Sequence, residues 1–495
     1  MDLPAERMST DAAAGTPTPS ATAAAVDGPP GGALLREFSF RTAFSLAFAF
    51  ISPIVALYSI FALGIETAGP GFWLGFPVAT AGQLLVALVF AMLVSRYPLE
   101  GSVYQWSRVL GGARFGWFAG WTYLWTLCIT LAAVALGGAA FLARLLGLDP
   151  DAHGVTLGLA IGLLALATWG NTRGRHVLGA MVALCVAAEL IGSVGVGAWL
   201  LLTGRLHPLS IVLPTREFFA GGGGWLGLFD SKAAAAVAIC GWAFVGFESA
   251  GSIAEEVKNP SRDAPRAMIA SLVFVAAVVS FSGLALLLAI PDLAAALSGA
   301  SVDPVVDTLT YHFVPGFFRF LLALFVVGFL ACLVGIQASV SRVIWAFARD
   351  GALPGSALLA RLEGEDRMPA NAIICSGLLA AAIFLISSTH LYAMLVTFTT
   401  AGFYVAFGFP VLAAAWVLLR GRWQPTPFHL GSASAPVVLA AAAWIVFQTM
   451  NVAWPRADSA PWYEAWSVVL MIAVLGALGV VVRRFLDRGA QATAD

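Results

Sequence analysis

The sequence predicts an all-α, polytopic membrane protein with twelve spanning helices. Three observations predict it. The 495-residue chain is 60% hydrophobic and only 11% charged, far below the roughly 25% charged residues of an average soluble domain. Apolar runs of about 20 residues recur along nearly its whole length, which is what a helix needs to cross a hydrocarbon core. The 26 Lys and Arg also divide unevenly between the loops. Arg144, Arg205, Arg216, Lys232, Arg319 and Arg456 fall on one face, and all the others, including Arg36, Arg96, Arg173, Lys258, Arg349, Arg420 and Arg483, on the face of the two termini. That excess places both termini in the cytoplasm.

Composition excludes several classes. A net charge of −1 with no basic block offers nothing to nucleic acid. Cys128, Cys185, Cys240, Cys332 and Cys375 all lie inside apolar runs without Cys-x-x-Cys spacing, so buried thiols are expected rather than disulfides or a metal site. The histidines scatter among loops and helix ends, and no cofactor is expected. A membrane enzyme would want a motif such as His-Glu-x-x-His or an extramembrane catalytic domain, and neither is present. A channel would show a repeated filter sequence.

Residues 1–35 are rich in Ala, Thr, Pro, Ser and Gly and are expected to form a disordered cytoplasmic tail, without the apolar core of a signal peptide. Span 1 covers 42–65 and carries Ser52-Pro53 near its middle. Pro53 removes an amide donor and crowds the preceding turn, so the helix breaks or kinks there. Span 2 (73–95) ends at Pro98, and the loop from Leu99 to Trp106 follows. Spans 3 (116–145), 4 (154–171) and 5 (176–203) come next. Glu189 sits deep in span 5, where an ionisable group either serves function or makes a structural hydrogen bond. The loop Gly221 to Gly224 has no strand before it and no Lys after it, which favours a flexible external linker over a phosphate cradle.

Span 6 contains Trp242-Ala-Phe-Val-Gly-Phe-Glu-Ser249. Gly246 loosens a helix by about 1 kcal/mol relative to Ala, and Glu248 costs about 2.5–3.5 kcal/mol at mid-membrane. A helix tolerating both is expected to be interrupted, its freed backbone groups facing a protein-lined cavity. Span 7 (266–290), an interfacial segment from Val302 to Phe313, and spans 8 (317–348), 9 (369–387), 10 (391–419), 11 (434–453) and 12 (463–485) complete the chain. Breakers in both spans 1 and 6 point to a binding site between inverted repeats.

The run from Trp242 to Ser249, with Glu255-Glu-Val-Lys-Asn-Pro260 and Arg262-Asp-Ala-Pro265, resembles span 6 and the following loop of the amino acid–polyamine–organocation (APC) permeases. The loop Pro98-Leu-Glu-Gly-Ser-Val-Tyr104 resembles that superfamily's Pro-x-x-Gly-Gly-x-Tyr, with Glu100 and Ser102 departing from it. The end of span 8, Ser339-Val-Ser-Arg342 through Asp350-Gly-Ala-Leu-Pro354, resembles it too. The look is nearest to the amino acid/choline/4-aminobutyrate branch.

The resemblance implies a five-plus-five inverted repeat (LeuT-like): spans 1–5 over 36–205, spans 6–10 over 206–425, and two further helices over 426–495. It implies alternating-access transport of an amino acid or related amine across the cytoplasmic (plasma) membrane. The implied substrate site is Ser52, Pro53, Ile54 and Val55 with Trp242, Phe244, Val245, Gly246 and Phe247. Exposed amides and carbonyls there would hold carboxylate and ammonium, with helix N-terminal ends favouring the anion. Trp242 stands where relatives close an aromatic ring over substrate, or it simply packs. Tyr104 stands at an inner-gate position, or it anchors at the interface. In proton-coupled relatives a span 5 lysine replaces a sodium ion, and Glu189 occupies that place here. Burial disfavours a carboxylate's charge, so Glu189 and Glu248 are the candidate proton carriers. Glu248 is expected beside the substrate site and Glu189 on a neighbouring helix. Ser339 and Ser341 are separated and near the helix end, which disfavours sodium coupling. An exchanger, or a non-transporting sensor of the same fold, stays open.

Overall fold

The computed structural model describes residues 34–173, 182–184, 186–222, 224–386, 391–456 and 462–492. Helices make nearly all of it, and among the described residues the only strand-like pairing is two isolated bridges, Phe38 with Val257 and Glu363 with Met368. Among the described residues, eleven helices are long and apolar enough to cross a membrane. The expected span 9 is the helix Ala370–Ile383, shorter than the rest, continued by a turn of 3₁₀ helix at Phe384–Ile386; the expected end at residue 387 lies outside the described residues. So do residues 176–181 of span 5, Cys185, Gly223 and all of the expected tail up to residue 33. Leu34, inside the segment expected to be tail, is buried. Cys128, Cys240 and Cys332 are buried free thiols as expected, whereas Cys375 is only half-buried.

The other spans follow their apolar runs: Phe40–Tyr58, Pro70–Arg96, Ala113–Leu146, His153–Thr172, Val182–Thr203, Lys232–Ser252, Pro260–Ala289, Pro315–Arg349, Met394–Leu419, Gly431–Ala453 and Ser467–Arg488. The segment expected after span 7 is the short helix Pro304–His312, N-capped by Asp303, whose Oδ1 accepts the Val306 amide at 3.1 Å. Spans 3 and 6 have 89% of their apolar window buried and span 12 only 11%, which puts spans 3 and 6 at the centre of the bundle and span 12 at its edge. Span 3 packs along spans 8 and 10, span 7 along spans 1 and 2, and span 1 against span 8. Side-chain pairs join loops of the same face. Arg144 meets Asp303 at 3.1 Å at one end, while Arg108 meets Asp350 at the other.

Both central breaks are real. Span 1 starts at an N-cap, Ser39, whose Oγ accepts the Thr42 amide at 3.3 Å. Its helix stops at Ile51, Ser52 turns to φ 46°, and a new helix begins at Pro53. Proline suits that first position because its missing amide would have no partner there. Span 6 runs as helix over Lys232–Cys240, tightens to 3₁₀ over Gly241–Phe244, and extends at Val245. Gly246 then takes φ 103°, open to glycine and strained for other residues, and helix resumes at Ser249–Ser252.

Candidate functional site

Each break is held by one buried carboxylate. Glu189 accepts the Ser52 hydroxyl on Oε1 and the Ile54 amide on Oε2 at 2.8 Å. Glu248 accepts the Tyr123 hydroxyl on Oε1 at 2.9 Å and the Gly246 amide on Oε2 at 3.0 Å. Both glutamates are fully buried. The two arrangements match: one hydroxyl and one backbone amide freed by an interruption. A buried carboxylate has to recover its lost hydration through such donors, and an interrupted helix supplies them.

One expectation is sharpened and one corrected. Glu189 lies on a neighbouring helix, span 5, and from there reaches the break itself, accepting from Ser52 and Ile54 at the start of the second half of span 1. The amides expected to lie exposed for a substrate carboxylate are already bonded, Ile54 to Glu189, Gly246 to Glu248 and Val55 to Ser52 Oγ at 3.2 Å.

Between the breaks lies a cavity of about 10 Å³, room for about one water, lined by Phe50, Ile51, Val55, Thr130, Val134, Trp242, Val245, Cys332 and Ile336. Of the residues singled out in the sequence, Val55, Trp242 and Val245 line it. Ser52 and Ile54 turn to Glu189, and Pro53 is buried at the start of the second helix. Phe244 packs edge-on against Phe76 at 6.1 Å, and Phe247 lies 5.9 Å from Phe90 and 5.7 Å from Phe407, so both rings belong to neighbouring packing. Gly246 backs onto Phe50, whose ring fills the space a Cβ would need. A larger groove of about 310 Å³ between spans 3, 10 and 12 is lined by apolar groups such as Phe118, Ile129 and Met471, with no charged residue and neither break in its walls.

Aromatic clusters lie on either side of the breaks. Toward one face Tyr58 lies 4.6 Å from Phe325, which meets Phe141 at 5.6 Å. Toward the face of the termini Phe50, Phe403, Phe407 and Phe247 form a continuous chain with centroids 5.5–6.4 Å apart. Tyr104 lies apart from the cavity. It is buried, lies tilted against Phe347 with ring centroids 4.0 Å apart, and donates its hydroxyl to Asp350 at 2.8 Å. Burial first, then Asp350, raises that hydroxyl's pKa above the usual tyrosine value.

Sequence reasoning missed Tyr123, Phe50, Thr130 and Cys332. Tyr123 is the one polar group that reaches Glu248 from span 3, and Cys332 donates its thiol to the Phe50 carbonyl at 3.0 Å. A tyrosine in the middle of an apolar run was the only available signal for the first. Nothing marked the others.

Two helices interrupted beside a shared small gap, each interruption capped by a buried carboxylate, define a membrane protein of the broken-helix transporter class. Residues 38–477 match the family described as amino acid permease, and the chain belongs to that family, within the APC superfamily that its motifs resemble. It is 30% identical over 362 residues to the branched-chain amino acid permease of Lactococcus lactis subsp. cremoris, covering 70% of this chain and 74% of that one. It is 24% identical over 439 residues to the branched-chain amino acid permease of Bacillus subtilis, covering 83% and 88%. It is 26% identical over 390 residues to human cationic amino acid transporter 4, covering 75% and 58%.

Proposed function

We propose that this permease moves an amino acid with a small aliphatic side chain, or the related amine, by alternating access at the two breaks, and that protons drive it. The observation that carries the proposal is the matched capping of the breaks by Glu189 and Glu248. Each carboxylate bonds the backbone that a substrate would contact, so gaining or losing a proton changes the same groups that binding changes. Ile51, Val55, Val134, Val245 and Ile336 make the cavity wall apolar and branched, which suits an aliphatic side chain, as does the likeness to two bacterial branched-chain amino acid permeases. Trp242 serves as the ring over the substrate and Tyr104, through Asp350, as part of the closure toward the termini. The loop charges support cytoplasmic termini, the membrane being the plasma membrane, and the two halves divide as 36–205 and 206–425.

The test is uptake into proteoliposomes of a radiolabelled panel of amino acids and amines, under imposed proton and sodium gradients in turn. Accumulation of an aliphatic amino acid under a pH gradient supports the proposal. Accumulation driven by sodium alone overturns the coupling, and exchange without any accumulation selects the exchanger instead.

A further inference from the structure

The face assigned to the cytoplasm is closed by a charged cluster that neither break uses. Its centre is Glu100, in the loop between spans 2 and 3, completely buried. The loop after span 6 comes against it in a reciprocal clasp: the Glu100 amide donates to Glu255 Oε1 at 2.9 Å, and the Glu255 amide donates to Glu100 Oε2 at 3.1 Å. Ser102 and Ser252 add a hydroxyl pair at 3.0 Å between the same two loops. From span 8, Arg349 Nη1 meets Glu255 at 2.9 Å and Arg342 Nε meets Glu256 Oε1 at 2.9 Å.

Each arginine in the cluster is thus engaged by a glutamate other than Glu100. Asp350, next along, takes Tyr104 at 2.8 Å, Gln105 at 2.9 Å and Arg108. Glu100 Oε1 is left buried with no hydrogen-bond partner among the described residues. An unpartnered oxygen of an ionised carboxylate, out of water and beside Glu255 and Glu256, is strongly unfavourable. With a proton on it the same oxygen is neutral, and the Oε2 contact to the Glu255 amide is kept.

We propose that Glu100 is a proton-binding site built into this closure, neutral while the closure is shut and ionised once it opens. Burial first, then Glu256 and Glu255, push this carboxyl well above the usual range, against the opposing pull of Arg342. Opening separates the loop carrying Glu100 from that carrying Glu255, water reaches Oε1, and the proton leaves to water on the cytoplasmic side. The site is distinct from Glu189 and Glu248. It makes opening toward the cytoplasm a proton-releasing step, so an acidic cytoplasm holds the closure shut. The inference rests on the alternating-access reading only in requiring that this face opens.

The test is hydrogen exchange, corrected for intrinsic rates, at residues 98–103 and 254–258 of the full-length protein in lipid nanodiscs, from about pH 5 to pH 9. One proton released on opening raises the opening equilibrium by up to about tenfold per pH unit. That rise is expected in the wild type and is expected to be absent in both Glu100→Gln and Glu100→Ala. Infrared difference spectra between the pH extremes supply a second reading: the loss of a protonated-carboxyl band at high pH in the wild type, reduced in both variants. Opening that does not change with pH in the wild type, or that responds equally in the variants, overturns the proposal. If the wild type transports in liposomes while its exchange is independent of pH, this inference fails and the transport reading stands. If it transports nothing in the panel yet the pH response follows Glu100, the reverse holds.

Discussion

Arg342 and Glu256 form an ion pair sealed on both sides: Nε lies 2.9 Å from Oε1, with the two side chains 1% and 0% exposed. Removing one partner of such a pair leaves a desolvated charge and costs about 3–5 kcal/mol. Arg342→Met is expected to lower the thermal unfolding temperature sharply in detergent, and Arg342→Met with Glu256→Gln to recover part of the loss. A single variant that melts with the wild type would show that the pair is dispensable.

Gly246 faces Phe50 at φ 103°. Any side chain there is strained in backbone and meets a ring, so Gly246→Leu is expected to abolish substrate binding while the protein still inserts in the membrane. Unchanged affinity in the purified variant would remove the span 6 break from the mechanism.

Trp242 lines the cavity and is 5% exposed. Truncation to alanine removes the ring that narrows the space between the breaks. We expect at least tenfold weaker binding or leaky flux from Trp242→Ala, an affinity loss of roughly 1.4 kcal/mol or more. Equal affinity and equal tightness would reduce the ring to packing.

Glu189→Gln keeps a carbonyl acceptor for one of its two donors and loses the titrating proton. It is expected to exchange substrate across liposomes without concentrating it under a pH gradient. Glu248→Gln makes the same exchange at the Gly246 amide and the Tyr123 hydroxyl, and is expected likewise to lose accumulation under the pH gradient. If both variants accumulate substrate as the wild type does, neither carboxylate carries the coupling proton.

Glu100 also gives stability a pH dependence. Its folded pKa is raised above an unfolded value of about 4.3, so the folded protein holds the extra proton between the two. The stabilisation is fully present below the unfolded pKa and is lost as pH rises through the folded one. Glu100→Gln stays neutral throughout. Its melting temperature is therefore expected to gain on the wild type as pH increases, and parallel melting curves would show that Glu100 does not titrate there.

The spans were legible because each is a local property of 20 or so consecutive residues, and the positions of both breaks because Pro53 and Gly246 announce themselves by backbone chemistry. Glu248 was legible too, as a carboxylate at forbidding depth. What it bonds was not. Tyr123 lies 125 positions away and Ile54 is 135 positions from Glu189, and no periodicity within one helix reports which helix comes to face it. Nor did hydropathy show that the freed amides would be taken by the chain's own carboxylates, since that depends on the rotation of spans 3 and 5 about their axes. Ser102 was noted only as a departure from a glycine; its φ of 35° supplies the reason glycine suits that place.

The bridge between Phe38 and Val257 sets a limit on how far the N-terminus can be trimmed. Phe38 and Glu37 donate their amides to the Glu256 carbonyl at 2.8 and 2.9 Å, and the Lys258 amide donates to Phe38 at 2.9 Å. Two residues just before the first span, Glu37 and Phe38, are therefore stitched to the loop that carries Glu255 and Glu256. Deletion up to residue 33 leaves this latch whole, whereas deletion through Phe38 cuts every one of its stitches. A chain shortened that far keeps all its membrane helices yet loses the strap that ties the start of span 1 to the loop after span 6.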